Sequence, residues 1–85
     1  MKFQLVYTQR AIRDIKGLDP VTKKRIGDTL KRYEVNPMAY AESLTDSELG
    51  TYRFRIGDYR VVFDIDGSEI IILRIGHRRE LYKRR

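Results

Sequence analysis

The chain has 85 residues, 41% of them hydrophobic, and a formal net charge of +6 from 18 Lys and Arg against 12 Asp and Glu. That length supports a single domain, residues 1–85, with a core too small to enclose a large ligand pocket; the lack of Cys excludes disulfides and thiolate chemistry, and one His leaves no basis for a structural zinc site. The longest apolar run, Ile70 to Leu73, is far short of the ~20 residues a membrane span needs, and no signal-peptide pattern opens the chain, so the expectation is a soluble cytoplasmic protein with no membrane or metal partner and a preference for polyanions.

Residues 1–7 alternate, with Phe3 and Leu5 set against Lys2, Gln4 and Val6, and predict a short strand. Thr8 is an N-cap for a helix of two to three turns in which Ala11, Ile12, Ile15 and Leu18 recur at helical spacing, with Gly17 as its stop. Asp19-Pro20 starts a second helix, an N-cap acceptor followed by proline at the first position, where its missing N–H costs nothing. Val21, Ile26, Leu30 and Tyr33 mark its apolar stripe, it runs to about Val35, and Asn36-Pro37 ends it. Residues 38–49 show no periodicity and predict a surface connection with no site of its own. Two turn signals, Gly57-Asp58 and Asp66-Gly67, then separate three strands over residues 51–56, 59–65 and 68–75. Gly76 breaks the last, and residues 77–85 form a basic tail with a final helical turn. The pattern predicts an α+β fold: a small antiparallel-dominated sheet, made of the N-terminal strand plus a three-strand C-terminal meander, with two N-terminal helices packed on one face.

Taking both turns as two-residue loops sets Arg55 opposite Arg60 across the first and Phe63 opposite Ile70 across the second. Tyr52, Phe54, Val61, Phe63, Ile70 and Ile72 then share the face that the helices cover. Arg53, Arg55 and Arg60 share the other, with Val62, Ile71 and Leu73 as an apolar floor. Like charges at paired positions destabilise a sheet, so folding alone does not ask for this trio. Two readings stand: a solvated face whose arginines pair with Asp58, Asp64 or Glu69, and an anion-binding surface. The second is preferred, because eight of the twelve Arg lie in residues 50–85 and the planar guanidinium fork suits phosphate. His77, Arg78, Arg79 and Tyr82 leave the sheet beside this cluster and add fixed cations, a titratable imidazole and a ring able to stack on a base.

The whole chain resembles the RelE/ParE superfamily of toxins from toxin–antitoxin operons, and within it the RelE branch of messenger-RNA endonucleases. The features that carry the likeness are the opening QLVYTQRAIRDIKGLDP, the segment YRFRIGDYRVVFDI and the hairpin IDGSEIIILRIGHRRELY. The resemblance implies a metal-independent, ribosome-dependent endoribonuclease that cuts mRNA in the A site by attack of a ribose 2′-hydroxyl on the adjacent phosphate, with no cofactor. By position it assigns catalytic roles to Arg53, Arg55, Arg60, Arg78 and Tyr82, a candidate general acid or base role to His77, and RNA contacts to Arg79 and Lys83. Arg53 and Arg55 stand where the best-known RelE pattern has lysines; they stay protonated, so they suit phosphate clamping and leave base duty to His77 or a ribosomal group. The implied partners are a cognate antitoxin, the ribosome and mRNA. Two alternatives remain open: a ParE-like inhibitor of DNA gyrase, and a catalytically weak module that binds antitoxin or RNA.

Overall fold

A computed structural model describes residues 2–45 and 48–82. In chain order the elements are β1 (Gln4–Tyr7), α1 (Gln9–Lys16), α2 (Pro20–Tyr33), a short 3-10 turn (Pro37–Ala39), β2 (Glu42–Ser43), β3 (Tyr52–Ile56), β4 (Tyr59–Asp66), β5 (Glu69–His77) and α3 (Arg78–Leu81). The strands form one five-stranded sheet in the order β1-β5-β4-β3-β2, antiparallel except for the β1–β5 pair. This is the α+β arrangement expected, with β2 as an addition. No helix among the described residues is long and apolar enough to cross a membrane.

Local chemistry explains the helix starts. The Thr8 hydroxyl accepts from the Ala11 N–H and donates to the Ile72 carbonyl at 2.8 Å, so one side chain both caps α1 and ties it to β5. Asp19 caps α2 by accepting from the Thr22 N–H and hydroxyl. Ala11, Ile26 and Leu30 from the helices close over Phe54, Phe63, Ile70 and Ile72 from the sheet. The Phe54 and Phe63 rings stack at 4.2 Å between centroids. Val21, placed on the apolar stripe by its sequence position, is 77% exposed; at 3.6 residues per turn it lies about 140° around the helix from Ile26. Helix α2 ends at Tyr33, and Val35 beyond it is exposed.

The β3–β4 register is as expected, Arg55 opposite Arg60 and Phe54 opposite Val61. The β4–β5 register is not. Its two-residue loop is Gly67-Ser68, between the paired Asp66 and Glu69, so Phe63 faces Ile72 in place of Ile70. Glycine takes the first loop position because φ there is +61°, and Gly57 does the same in the other hairpin at +62°. A bulge then inserts Leu73 as an extra residue, and beyond it Val62 faces Arg74, Val61 faces Ile75 and Arg60 faces Gly76. The bulge returns Ile75 to the helix-covered face, where it is buried. Nor does Gly76 break the strand: β5 continues to His77, paired with Tyr59, and Leu81 packs over the glycine, 3.6 Å from where a Cβ would stand.

Where β1 stops, β5 has a free edge from residue 73 onward. Asp14 of α1 covers it, accepting from the Ile75 N–H and from Arg74 Nε, each at 2.9 Å.

Candidate functional site

Alternation along β3 and β4 turns Tyr52, Phe54, Val61 and Phe63 into the core and leaves Arg53, Arg55, Arg60 and Val62 on the opposite face. The three arginines therefore share one face, but their environments differ. Arg55 is the open one, with 54% of its side chain exposed. Arg60 is buried at 5% exposure, and its Nη1 donates to the Gly57 and Tyr59 carbonyls at 2.9 Å each. Burial lowers the Arg60 pKa, and the cations of Arg55, Arg53 and Arg78 lower it further, while Tyr82 acts in the opposite direction. Arg60 is thus a fixed positive charge, anchored on the β3–β4 turn and repelled by its neighbours. The expected floor is also changed. Val62 is fully buried, Arg74 and Gly76 take the positions assigned to Ile71 and Leu73, and Leu73 lies with Val62 against Gly50.

Residues 38–49, read from sequence as a connection without a site, supply a carboxylate to the cluster. Glu42 in β2 pairs with Arg53 in β3, and its Oε1 accepts from Arg53 Nε at 2.9 Å while Oε2 lies 3.5 Å from Arg55 Nη1. The Arg53 hydrogen bond, with Arg55 nearby, holds the Glu42 carboxyl below its ordinary pKa. A two-residue strand has no periodicity to betray it, so the acid itself is the one signal legible in the residues.

The C-terminal segment closes over the same face. The Arg78 N–H donates to the Asp58 carbonyl at 2.8 Å, pinning the start of α3 to the turn that also anchors Arg60. Buried Leu81 holds the other end, and Tyr82 meets Arg53, whose Nη1 donates to the Tyr82 hydroxyl at 3.2 Å with its guanidinium carbon 5.7 Å from the ring centroid. That hydrogen bond is the chief cause of a raised Arg53 pKa. Arg78 and Arg79 are exposed, and Lys83 lies outside the described residues. His77 goes elsewhere. Its pairing with Tyr59 puts it on the helix side, where the two rings meet edge-on at 5.5 Å, and its Nδ1 accepts from the Arg79 N–H as the cap of α3.

The structure thus brings together Arg53, Arg55, Arg60, Arg78 and Tyr82, adds Glu42 and separates His77. Such a cluster can bind a phosphodiester through charge-assisted hydrogen bonds and stabilise extra negative charge developing on it. Glu42 occupies the donors that a phosphate oxygen would use.

Comparison with known proteins places these features in a family. The profile described as ParE toxin of type II toxin-antitoxin system, parDE, matches residues 5–82. Toxin RelG of Mycobacterium tuberculosis is 30% identical, the match covering 99% of this chain and 100% of that protein. Putative toxin RelE1 of Methanocaldococcus jannaschii is 31% identical over 98% of each. The crystal structure of the toxin–antitoxin complex RelBE2 from Mycobacterium tuberculosis superposes with a TM-score of 0.82 at 25% identity, covering 91% of this chain and 99% of that one. The profile match and the identity to these toxins along nearly the whole chain show that it belongs to the ParE toxin family of type II toxin–antitoxin systems, within the RelE/ParE superfamily.

Proposed function

We propose that the protein is the toxin of a type II toxin–antitoxin system and acts in the cytoplasm as a metal-independent endoribonuclease on ribosome-bound mRNA, held in check by a cognate antitoxin. The observation that carries this reading is the convergence of Arg53, Arg55 and Arg60 on the sheet face away from the helices, with Tyr82 seated on Arg53. The relatives named as RelE and RelG toxins support it.

In the reaction, the ribose 2′-oxygen attacks phosphorus and the bond to the 5′-oxygen of the next nucleotide breaks, leaving a 2′,3′-cyclic phosphate and a 5′-hydroxyl. Arg55 binds a non-bridging oxygen, while Arg60 and Arg78 supply fixed positive charge behind it; electrostatic stabilisation of this kind is commonly the largest catalytic term. The 2′-hydroxyl proton passes to Glu42. Its carboxylate is a weak base while Arg53 and Arg55 hold it, and it gains basicity when a phosphate draws those donors away. The 5′-oxygen takes its proton from Tyr82, whose hydroxyl hydrogen is free to donate because its oxygen is the acceptor for Arg53. His77, with Nδ1 engaged on the helix side, has no part in this scheme.

The test maps mRNA ends on translating ribosomes after induction of the wild type and of Arg55→Ala. New ends in the wild type and their loss in the variant are expected; equal cleavage by both would overturn the assignment. The family profile itself is named for ParE, which favours a second reading, a gyrase inhibitor that cuts no RNA. Induction would then provoke a DNA-damage response with messenger left intact.

A further inference from the structure

The last helical turn is too short to stand by itself. Helix α3 has four residues, and isolated helices below about 12–15 residues are marginal in water, so contacts with the sheet and at its start keep it in place. The Arg78 N–H reaches the Asp58 carbonyl at 2.8 Å, and buried Leu81 packs over Gly76. At the start of the turn, His77 Nδ1 accepts from the Arg79 N–H at 3.2 Å. Tyr82 follows directly and meets Arg53, so the turn before it sets the position of its hydroxyl.

Of these contacts, the imidazole cap depends on a proton. A ring nitrogen that accepts an N–H carries no hydrogen of its own, so the one His of the chain is neutral here, with its hydrogen on Nε2. The ring is half-buried and edge-on to Tyr59 at 5.5 Å, which fixes its plane. A proton from solvent adds to the Nδ1 lone pair and turns the acceptor into a donor. Two N–H groups then oppose one another, and a third positive charge joins Arg78 and Arg79. The other charged or titratable groups around the imidazole are Tyr59 of β4, Asp58 in the β3–β4 turn, Glu80 of α3, and Arg25 of α2, whose guanidinium packs against Gly57 of that turn.

We infer that His77 is a positioning residue: as a neutral imidazole it caps α3 and so seats Tyr82 on Arg53, and its protonation in mild acid releases the turn and withdraws the tyrosine. The inference rests on the endoribonuclease reading for the chemical role of Tyr82. His77 exchanges no proton with the substrate; it acts through the geometry of the segment that follows it.

The test uses the full-length chain, His77→Ala and His77→Asn, with a thermal melt of each. Asparagine is among the strongest N-cap residues and does not titrate, so it restores the acceptor and removes the switch. On translating ribosomes, the wild-type kcat is expected to fall at least about 3-fold from pH 8 to pH 6 with KM unchanged. His77→Ala is expected to be about 3- to 10-fold slower at pH 8, and His77→Asn to recover at least about half of the wild-type rate, both without the acid fall. A parallel measurement needs no RNA. With ring-labelled tyrosine, the Tyr82 resonance, assigned by its loss in Tyr82→Phe, follows the His77 titration in the wild type and holds its pH 8 position in His77→Asn.

A Tyr82 resonance indifferent to the His77 titration overturns the inference. So does His77→Ala with the wild-type kcat at pH 8, or His77→Asn with the wild-type acid fall. Should His77→Ala unfold, the wild-type titration and His77→Asn carry the decision. If the wild type cuts no mRNA at any pH, the proposed function fails and the resonances alone decide, Tyr82 following His77 upholding the positioning role.

Discussion

Asp14 and Arg74 are sixty positions apart in the chain and meet at 2.9 Å on the edge of β5 that β1 leaves uncovered. The same carboxylate oxygen also accepts from the Ile75 N–H, so one acid satisfies a strand edge and a guanidinium together. Truncation leaves both donors without a protein partner, and a hydrogen bond to a charged group contributes about 1.5–3 kcal/mol. Asp14→Ala is therefore expected to lose roughly 2–4 kcal/mol of stability in urea unfolding, with cleavage unchanged where the protein remains folded. A loss below half a kcal/mol, by the scale of ordinary surface substitutions, would show that water replaces the carboxylate at no cost.

The two outward arginines beside the turn are expected to separate in their effects. Arg55 is open and Arg60 is buried on the turn carbonyls. Arg55→Ala is expected to cut cleavage by about 10²-fold or more at unchanged Tm. Arg60→Ala also removes the donor to two carbonyls and is expected to lose a further ~1–3 kcal/mol of stability. Parallel measurement of toxicity and thermal melts checks both; equal Tm losses in the two variants would contradict the geometry.

Glu42 sets a pH dependence. Its folded-state pKa lies below the ordinary 4.5, chiefly through the Arg53 hydrogen bond, so the unfolded chain binds more protons at mildly acid pH. The stabilising contribution is then complete above the ordinary carboxylate pKa and disappears as pH falls through the lower folded value. Glu42→Gln is expected to be less stable than the wild type at pH 7, with the gap closing in acid; denaturant melts from pH 7 to pH 3 measure it. A constant gap over that range contradicts the ion-pair account.

Gly50 is required by close approach. A Cβ there would stand 2.6 Å from Val62 Cγ1 and 2.8 Å from Leu73 Cδ1. Gly50→Ala is expected to destabilise by about 1–3 kcal/mol, the range for overpacking, and to disturb the segment that carries Glu42. Thermal unfolding with cleavage measured alongside is the check.

Much of this could be read from residues alone, and the exceptions have physical causes. Gly57-Asp58 lies between strands of strict alternation, which is why Arg53, Arg55 and Arg60 were placed on one face and the structure agrees. Around Asp66-Gly67-Ser68 two loop placements fit the same turn chemistry, and the one adopted differs by one residue from the one expected. An apolar run such as Ile70 to Leu73 carries no alternation to mark a bulge, so the inward return of Ile75 and the pairing of Arg60 with Gly76 were not visible. Val21 is apolar but lies off the angular position of the α2 stripe, which apolar character alone does not reveal. Glu42 carries no local signal of its role because its strand is set by the partner it pairs with, a contact remote in sequence.

The supernumerary Leu73 governs more than its own neighbourhood. Strict alternation from Ile72 would send Ile75 into solvent and aim Arg74 at the hydrophobic layer; the one-residue offset reverses this, and Gly76 then sits under Leu81 so that Tyr82 reaches Arg53. Deleting a single residue from this stretch would invert every later side chain, carrying the terminal tyrosine away from its guanidinium without altering either one. The meeting of the final tyrosine with its guanidinium is thus encoded as a phase, a count of residues upstream.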